Sequence, residues 1–314
     1  MANYKVGDII RLSRNFIGMS QEELAFQAGL ATETISRIES GKHKISTETY
    51  KKLMGALNRF PERSFAICSR SDMEIIEEKK LLEEAEVKHE LDDAEYYLSC
   101  IKKQIGDNEI DRQYVRRIEA ILNYYDKKNT KAFIEDVKQT LCITIKDWDY
   151  EIYKGKKYPY TEQELLILMN LADAYGKDGQ CEKSEEISEM ILEYLDEGYI
   201  SSGEIDNFKL TVKRNLTITY QKMGRYEESL KLLQQILNEA TALKYGSMIT
   251  ISLFDIAWNM AKLNEIYKYE HFQTELIKEK LTQAYFVASA RNDNYIKDLA
   301  RDFNMELFNT DIKS

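Results

Sequence analysis

Two stretches of the chain, NLADAYGKDGQCEKSEEI from Asn170 and NLTITYQKMGRYEESLKL from Asn215, match at one constant offset. Asn170 and Asn215, Leu171 and Leu216, Tyr175 and Tyr220, Gly179 and Gly224, and Ser184 and Ser229 all lie 45 residues apart. Each copy reads as a helix stopped by its glycine, a tight turn and a second amphipathic helix. Such a pair cannot bury its own apolar face, so copies must stack on neighbours, which predicts a solenoid of helix pairs.

Weaker pairs fit on both sides, over residues 112–141 and 251–290, with a closing helix in NYIKDLARDFNMELF. Helices are also what the composition favours, because helix-interrupting residues are scarce: 2 prolines and 13 glycines in 314 residues. Pro159 stops what precedes it, and Thr161 with Glu164 forms a capping box that opens the next helix. The expected fold class is all-α.

The first sixty residues have a different pattern. Val6, Ile9, Ile10 and Ile17 mark one short amphipathic helix, and Leu24, Ala25 and Ala28 mark a second. Ser20 and Glu23 make a capping box at the start of the second, and Gly29 ends it. A third helix restarts within two residues on Ile35 and Ile38 and closes at Gly41. A fourth begins near Ser46 or Thr47 and carries Tyr50, Leu53, Met54 and Leu57. Helices two and three, joined by a glycine turn of this length, form a helix-turn-helix unit.

Charge separates the same segment from the rest. Residues 1–60 hold nine Lys/Arg against six Asp/Glu, a net +3 within a chain of net charge −10, so residues 61–314 carry −13. Any affinity for phosphate belongs to the N-terminal segment.

SQEELAFQAGLATETISRIESGK, Ser20 to Lys42, resembles the helix-turn-helix of the phage-repressor-like family, the Cro and lambda-repressor or xenobiotic-response-element type. The resemblance implies that Gln21 meets a phosphate and that Thr32, Glu33, Ser36 and Arg37 face base edges from the recognition helix. Arg37 would pair with O6 and N7 of a guanine, while Lys42 and Lys44 would hold backbone phosphates. Glu39 would form a structural ion pair with Arg14 of the first helix. Glu33 is either a specificity contact, for example to a cytosine amino group, or a tolerated exposed charge. His43 is a phosphate neighbour or a plain surface residue. The family's usual Ser or Thr cap is replaced by Ala31, at a cost of about 1 kcal/mol, with Thr32 as the alternative cap.

Between Asn58 and Asp72 the period breaks around Pro61, which suggests a linker, and a run without breakers follows as one long helix or two abutting helices. The expected domains are therefore a helix-turn-helix domain over 1–60, a linker and connecting helix over 61–105 and a repeat domain over 106–314. The repeats resemble tetratricopeptide units in their Tyr, Gly, aromatic and small-residue order. Their spacing exceeds the usual 34 residues, and Cys181 and the serines depart from the usual choices.

First helices of tetratricopeptide units line a concave wall, and Asn170, Asn215 and Asn259 share that phase, the last pair 44 residues apart. An asparagine amide donates and accepts, so a row of them could clamp a peptide backbone, with Asp173, Arg214, Asp255 and Lys262 selecting its termini or charges. The alternative is that the asparagines cap turns or meet adjacent helices.

The layout of repressor-like head, connecting helix and degenerate repeats is similar to the peptide-pheromone receptors of Firmicutes, the group that includes the Rgg, PlcR, PrgX and NprR regulators. That resemblance implies a homodimer on operator DNA, controlled by a short peptide on the concave face. A regulator whose repeats bind a partner protein instead is the rival reading.

No glycine-rich phosphate loop, nucleophile elbow or metal-ligand spacing occurs, and His43, His89 and His271 sit in unrelated contexts, so neither an enzyme nor a cofactor or metal site is expected. Cys68, Cys100, Cys142 and Cys181 are widely spaced, which fits a reducing compartment. MANYKVGDII lacks a signal-peptide pattern, and no run approaches the roughly 18 apolar residues of a membrane span, so a soluble cytoplasmic protein without membrane contact is expected.

Overall fold

The computed structural model describes residues 6–43, 45–57, 70–88, 90–106, 109–156, 158–197, 205–267 and 272–312. Among them every regular element is a helix, as the scarcity of proline and glycine requires. No helix among the described residues is long and apolar enough to cross a membrane. The chain forms two compact units, one of residues 1–174 with 193–203 and one of residues 175–192 with 204–314.

The first unit begins with α1 (Val6–Phe16), α2 (Gln21–Ala28), α3 (Thr32–Glu39) and α4 (Thr47–Ala56). Their apolar positions meet in one core of Ile10, Leu24, Ala25, Ala28, Ile35, Ile38, Tyr50, Leu53, Met54 and Leu57. Ser20 and Glu23 satisfy each other's backbone N–H groups in the capping box at the start of α2, and Gly29 takes the left-handed conformation at its end. Ser46 caps α4 by accepting from the Thr49 backbone N–H. Ile17 does not face this core. It lies past the end of α1, 46% exposed, because Gly18 at φ 71° turns the chain there. The Val6 and Ile9 side chains and the segment 58–69, with the expected linker around Pro61, lie outside the described residues.

Residues 70–104 fold as a hairpin of α5 (Arg70–Lys88) and α6 (Leu91–Gln104), which packs on α7 (Glu109–Lys127) through Leu82, Ala85, Ala94, Leu98, Ile101, Tyr114, Ile118 and Leu122. Next come α8 (Thr130–Leu141), the single turn α9 (Tyr150–Tyr153) and α10 (Glu162–Lys177). Thr161 and Glu164 exchange both capping-box hydrogen bonds at the start of α10. The Phe16 ring, at the end of α1, stacks on Tyr153 at 5.9 Å and meets Tyr158 edge-on at 4.7 Å.

In the second unit, residues from α11 (Cys181–Asp196) are followed by α12 (Ile205–Lys222), α13 (Tyr226–Leu243), α14 (Gly246–Tyr267), α15 (Thr274–Ala290) and α16 (Asn294–Phe308). The core runs through Leu210, Leu233, Ile236, Ala257, Leu281 and Ala300. The repeated glycines Gly179 and Gly224 adopt φ 84° and 74°, the left-handed stop each copy needs. The repeated serines sit where helices approach closely. Ser184 Oγ lies 2.9 Å from Thr219 Oγ1, a side chain at Gly176 would press on Ser184, and Ser229 is fully buried. Arg225 joins the turns by bridging Glu185 and Glu228 while its guanidinium covers the Tyr220 ring at 4.3 Å.

Candidate functional site

The head holds its recognition helix through one buried carboxylate. Glu39, at the end of α3, is 5% exposed and accepts from Arg14 Nε at 2.7 Å, Arg14 Nη2 at 3.0 Å and Gln21 Nε2 at 2.7 Å. Arg14 also donates from Nη1 to the Met19 carbonyl at 2.8 Å. One carboxylate thus ties α1, α2 and α3 together. The hydrogen bonds that Arg14 donates to Glu39 hold its guanidinium above its ordinary pKa, with burial acting against them.

This geometry adds an internal partner for Gln21. One N–H of its amide goes to Glu39 inside the head, and the second N–H of the same nitrogen is the donor that the expected phosphate contact would use.

The outward residues of α3 are Glu33, Ser36 and Arg37, all exposed, with Thr32 half-buried at its first turn. Arg37 contributes its backbone carbonyl to Ser40 Oγ, leaving the guanidinium on the surface side of the helix. Lys42 and His43 are exposed just beyond α3, and Lys44 lies outside the described residues. Ala31 is the N-cap of α3 in extended conformation, with no side-chain hydrogen bond, so Thr32 does not take over the cap. Ala31→Ser should therefore raise the stability of the head by about 1 kcal/mol, read as a higher denaturation midpoint with an unchanged slope.

Of the residues expected on the ligand face, Asn170 and Asp173 lie on α10 in the first unit, both half-buried, and Asn170 Oδ1 is buried without a hydrogen-bond partner among the described residues. In the second unit Asn215 is half-buried on α12. Arg214, beside it, donates from Nε to Asp255 Oδ2 on α14 at 3.0 Å, joining the first helices of consecutive pairs. Lys262 pairs with Glu265 at 2.7 Å and lies 5.8 Å from the centre of the Trp258 ring.

Asn259 departs from the expected row. It is 0% exposed, and its Nδ2 donates to the Asp255 carbonyl at 2.7 Å, so its side chain is held within α14 and is not presented to a groove. The same repeat phase fails to give the same exposure because α14 is packed on more of its circumference than α12. The sequence reading also missed three half-buried apolar residues of α14, Ile251, Phe254 and Trp258. Their spacing of three and four puts them on one helical face, a signal present in the sequence but overshadowed there by the asparagines.

Residues 10–62 match the helix-turn-helix family model. The head is a helix-turn-helix domain of the repressor-like type. No curated protein sequence matches the chain. Among solved structures, Bacillus thuringiensis PlcR in complex with the peptide PapR7 and DNA is similar over 95% of this chain and 99% of its own, with 19% identity and a TM-score of 0.62. The apo form of the same protein aligns over 92% of this chain and 97% of its own, at 17% identity and a TM-score of 0.56. ComR from S. thermophilus, in complex with DNA and its signalling peptide ComS, aligns over 96% of this chain and 98% of its own, at 15% identity and a TM-score of 0.53. At these identities the likeness is one of fold: a helix-turn-helix head followed by tetratricopeptide-like helical repeats.

Proposed function

We propose that the chain is a sequence-specific DNA-binding transcription regulator whose helical repeats bind a short signalling peptide that controls it. The observation that carries the DNA-binding part is the division of charge on α3. Glu39 is turned inward onto Arg14 and Gln21, and Arg37 and Ser36 stand outward on the face that enters a major groove. Arg37 reads a guanine, with Thr32, Ser36 and Glu33 beside it, and Lys42 and Lys44 contact phosphates. A homodimer would set two such helices about 34 Å apart on successive major grooves.

The peptide part is supported by the fold shared with PlcR and ComR, both solved with a peptide. In the second unit, the polar groups of Arg214 and Asn215 on α12 and the half-buried apolar strip of α14 supply the two kinds of contact a peptide needs. Asn259, being buried, is not among the direct contacts.

Gel-shift titrations of the full protein on its own promoter test the head. Arg37→Ala is expected to lose about 1–3 kcal/mol of specific affinity, whereas Lys42→Ala should weaken binding to every sequence alike and lower the salt slope by about one. Failure of the full protein to shift any promoter fragment at low salt would defeat the regulator reading.

A further inference from the structure

The second unit contains a polar stripe that the DNA-binding reading leaves unused. Ser252, Asp255 and Asn259 follow one another on α14 at spacings of three and four, so they share one helical face. All three are buried, Ser252 and Asn259 completely and Asp255 to 9% exposure. Buried polar atoms are nearly always paired. Ser252 Oγ and Asn259 Oδ1 nevertheless have no hydrogen-bond partner among the described residues.

Arg214 connects this stripe to the surface. Its side chain is 27% exposed, its Nε reaches Asp255, and among the described residues its Nη1 and Nη2 make no hydrogen bond. The guanidinium thus holds the buried carboxylate through Nε alone, and a ligand carboxylate that engages its Nη groups bidentately can draw it off Asp255.

We propose that Arg214 and Asp255 form a proton-linked latch: the carboxylate of a bound peptide takes Arg214, and Asp255, released from its cation, takes up one proton from solvent. The inference rests on the peptide-binding reading above and assigns the ligand a free carboxylate. Charge balances at each stage. The internal pair is neutral, the new peptide–Arg214 pair is neutral, and the proton neutralises the buried Asp255. The protonated acid gains an O–H donor, and one turn away on either side lie two acceptors without a partner among the described residues, Ser252 Oγ and Asn259 Oδ1.

The electrostatics agree with this geometry. Burial pushes the Asp255 carboxyl above its ordinary pKa, and Arg214 is the charged group that draws it back. The neighbouring helices face the α14 core with apolar side chains, such as Leu233 of α13, Leu281 of α15 and Ala300 of α16. The other nearby charges have partners of their own: Lys213 of α12 on Glu239 of α13, and Lys262 on Glu265 within α14. Removing Arg214 therefore drives the Asp255 pKa further up, and peptide binding must be coupled to proton uptake.

Full-length protein is offered a pool of synthetic peptides of about five residues, apolar except for the last, with either a free or an amidated C-terminus. Retained peptides are measured by ultrafiltration and mass spectrometry at about pH 6 and about pH 8. The wild type should retain the free-carboxylate peptides at least about tenfold better at the lower pH, and Asp255→Asn should bind them equally well at both. Equal retention by the wild type at both pH values, or a pH dependence that survives in Asp255→Asn, overturns the latch alone. If no form retains any peptide at either pH, the peptide reading fails and the latch with it.

A second arm needs no peptide. An acid whose folded pKa is raised stabilises the fold only while protonated, so that contribution is lost as pH rises through the folded value. Arg214→Ala should accordingly lower the melting temperature more at about pH 8 than at about pH 6, and Arg214→Ala/Asp255→Asn should remove the difference. A pH-independent loss in Arg214→Ala overturns the latch whatever the peptides do.

Discussion

Glu39→Ala should unfold the head while leaving the repeats folded. The substitution removes the acceptor of three hydrogen bonds and leaves the Arg14 guanidinium, with a side chain only 12% exposed, facing no carboxylate. Breaking a buried pair from one side costs about 3–5 kcal/mol, which is most of the stability of a small domain. Amide exchange should lose protection over residues 10–57 while α11 to α16 keep theirs, and DNA binding should disappear. Replacing both partners, as in Arg14→Met with Glu39→Leu, should recover most of the stability, because well-packed apolar residues often substitute for a buried pair without loss. If Glu39→Ala melted like the wild type, the carboxylate would not be the tie between α1, α2 and α3.

The second large effect is expected at Gly7, a position the sequence does not mark. A Cβ there would lie 2.0 Å from the Ile38 carbonyl oxygen and 2.9 Å from its carbon, both backbone atoms of α3. Neither can rotate away, so Gly7→Ala must push α1 and α3 apart. Forcing extra volume into a packed contact costs about 1–3 kcal/mol, and here the element displaced is the recognition helix. Operator affinity should drop by at least about tenfold even where the head remains folded, as a misplaced α3 loses its base contacts first. Normal affinity in a folded Gly7→Ala protein would show that α1 yields instead of α3.

The two predictions differ in how far the sequence announces them. Glu39 and Arg14 were readable as a pair because a family motif fixes both positions, but the third partner, Gln21, was assigned to a phosphate. A glutamine amide nitrogen carries two donors, and the packed position of Glu39 is what engages one of them inside the head. Gly7 had no local signature, since it ends no helix and sits in no turn. Its role comes from the closeness of two backbones that are 31 residues apart in sequence.

The repeats show the same division. The offset of 45 residues fixed the helix pairs, their glycine stops at Gly179 and Gly224, and the small residues Ser184 and Ser229. It could not fix exposure. Asn215 is half-buried and Asn259 fully buried, although they share a phase, because the packing around each helix depends on which neighbours it has.

From sequence alone came what local chemistry and periodicity determine: helices throughout, a helix-turn-helix head with its capping box at Ser20, and stacked helix pairs behind it with a second capping box at Thr161. These follow from hydrogen bonds and apolar spacing within a few turns of chain. Tertiary structure alone decided which polar groups face inward. Gln21 goes to Glu39, Asn259 to its own helix, and Arg214 to Asp255 across two helices, because a side chain's partner depends on what the fold brings within about 3 Å of it.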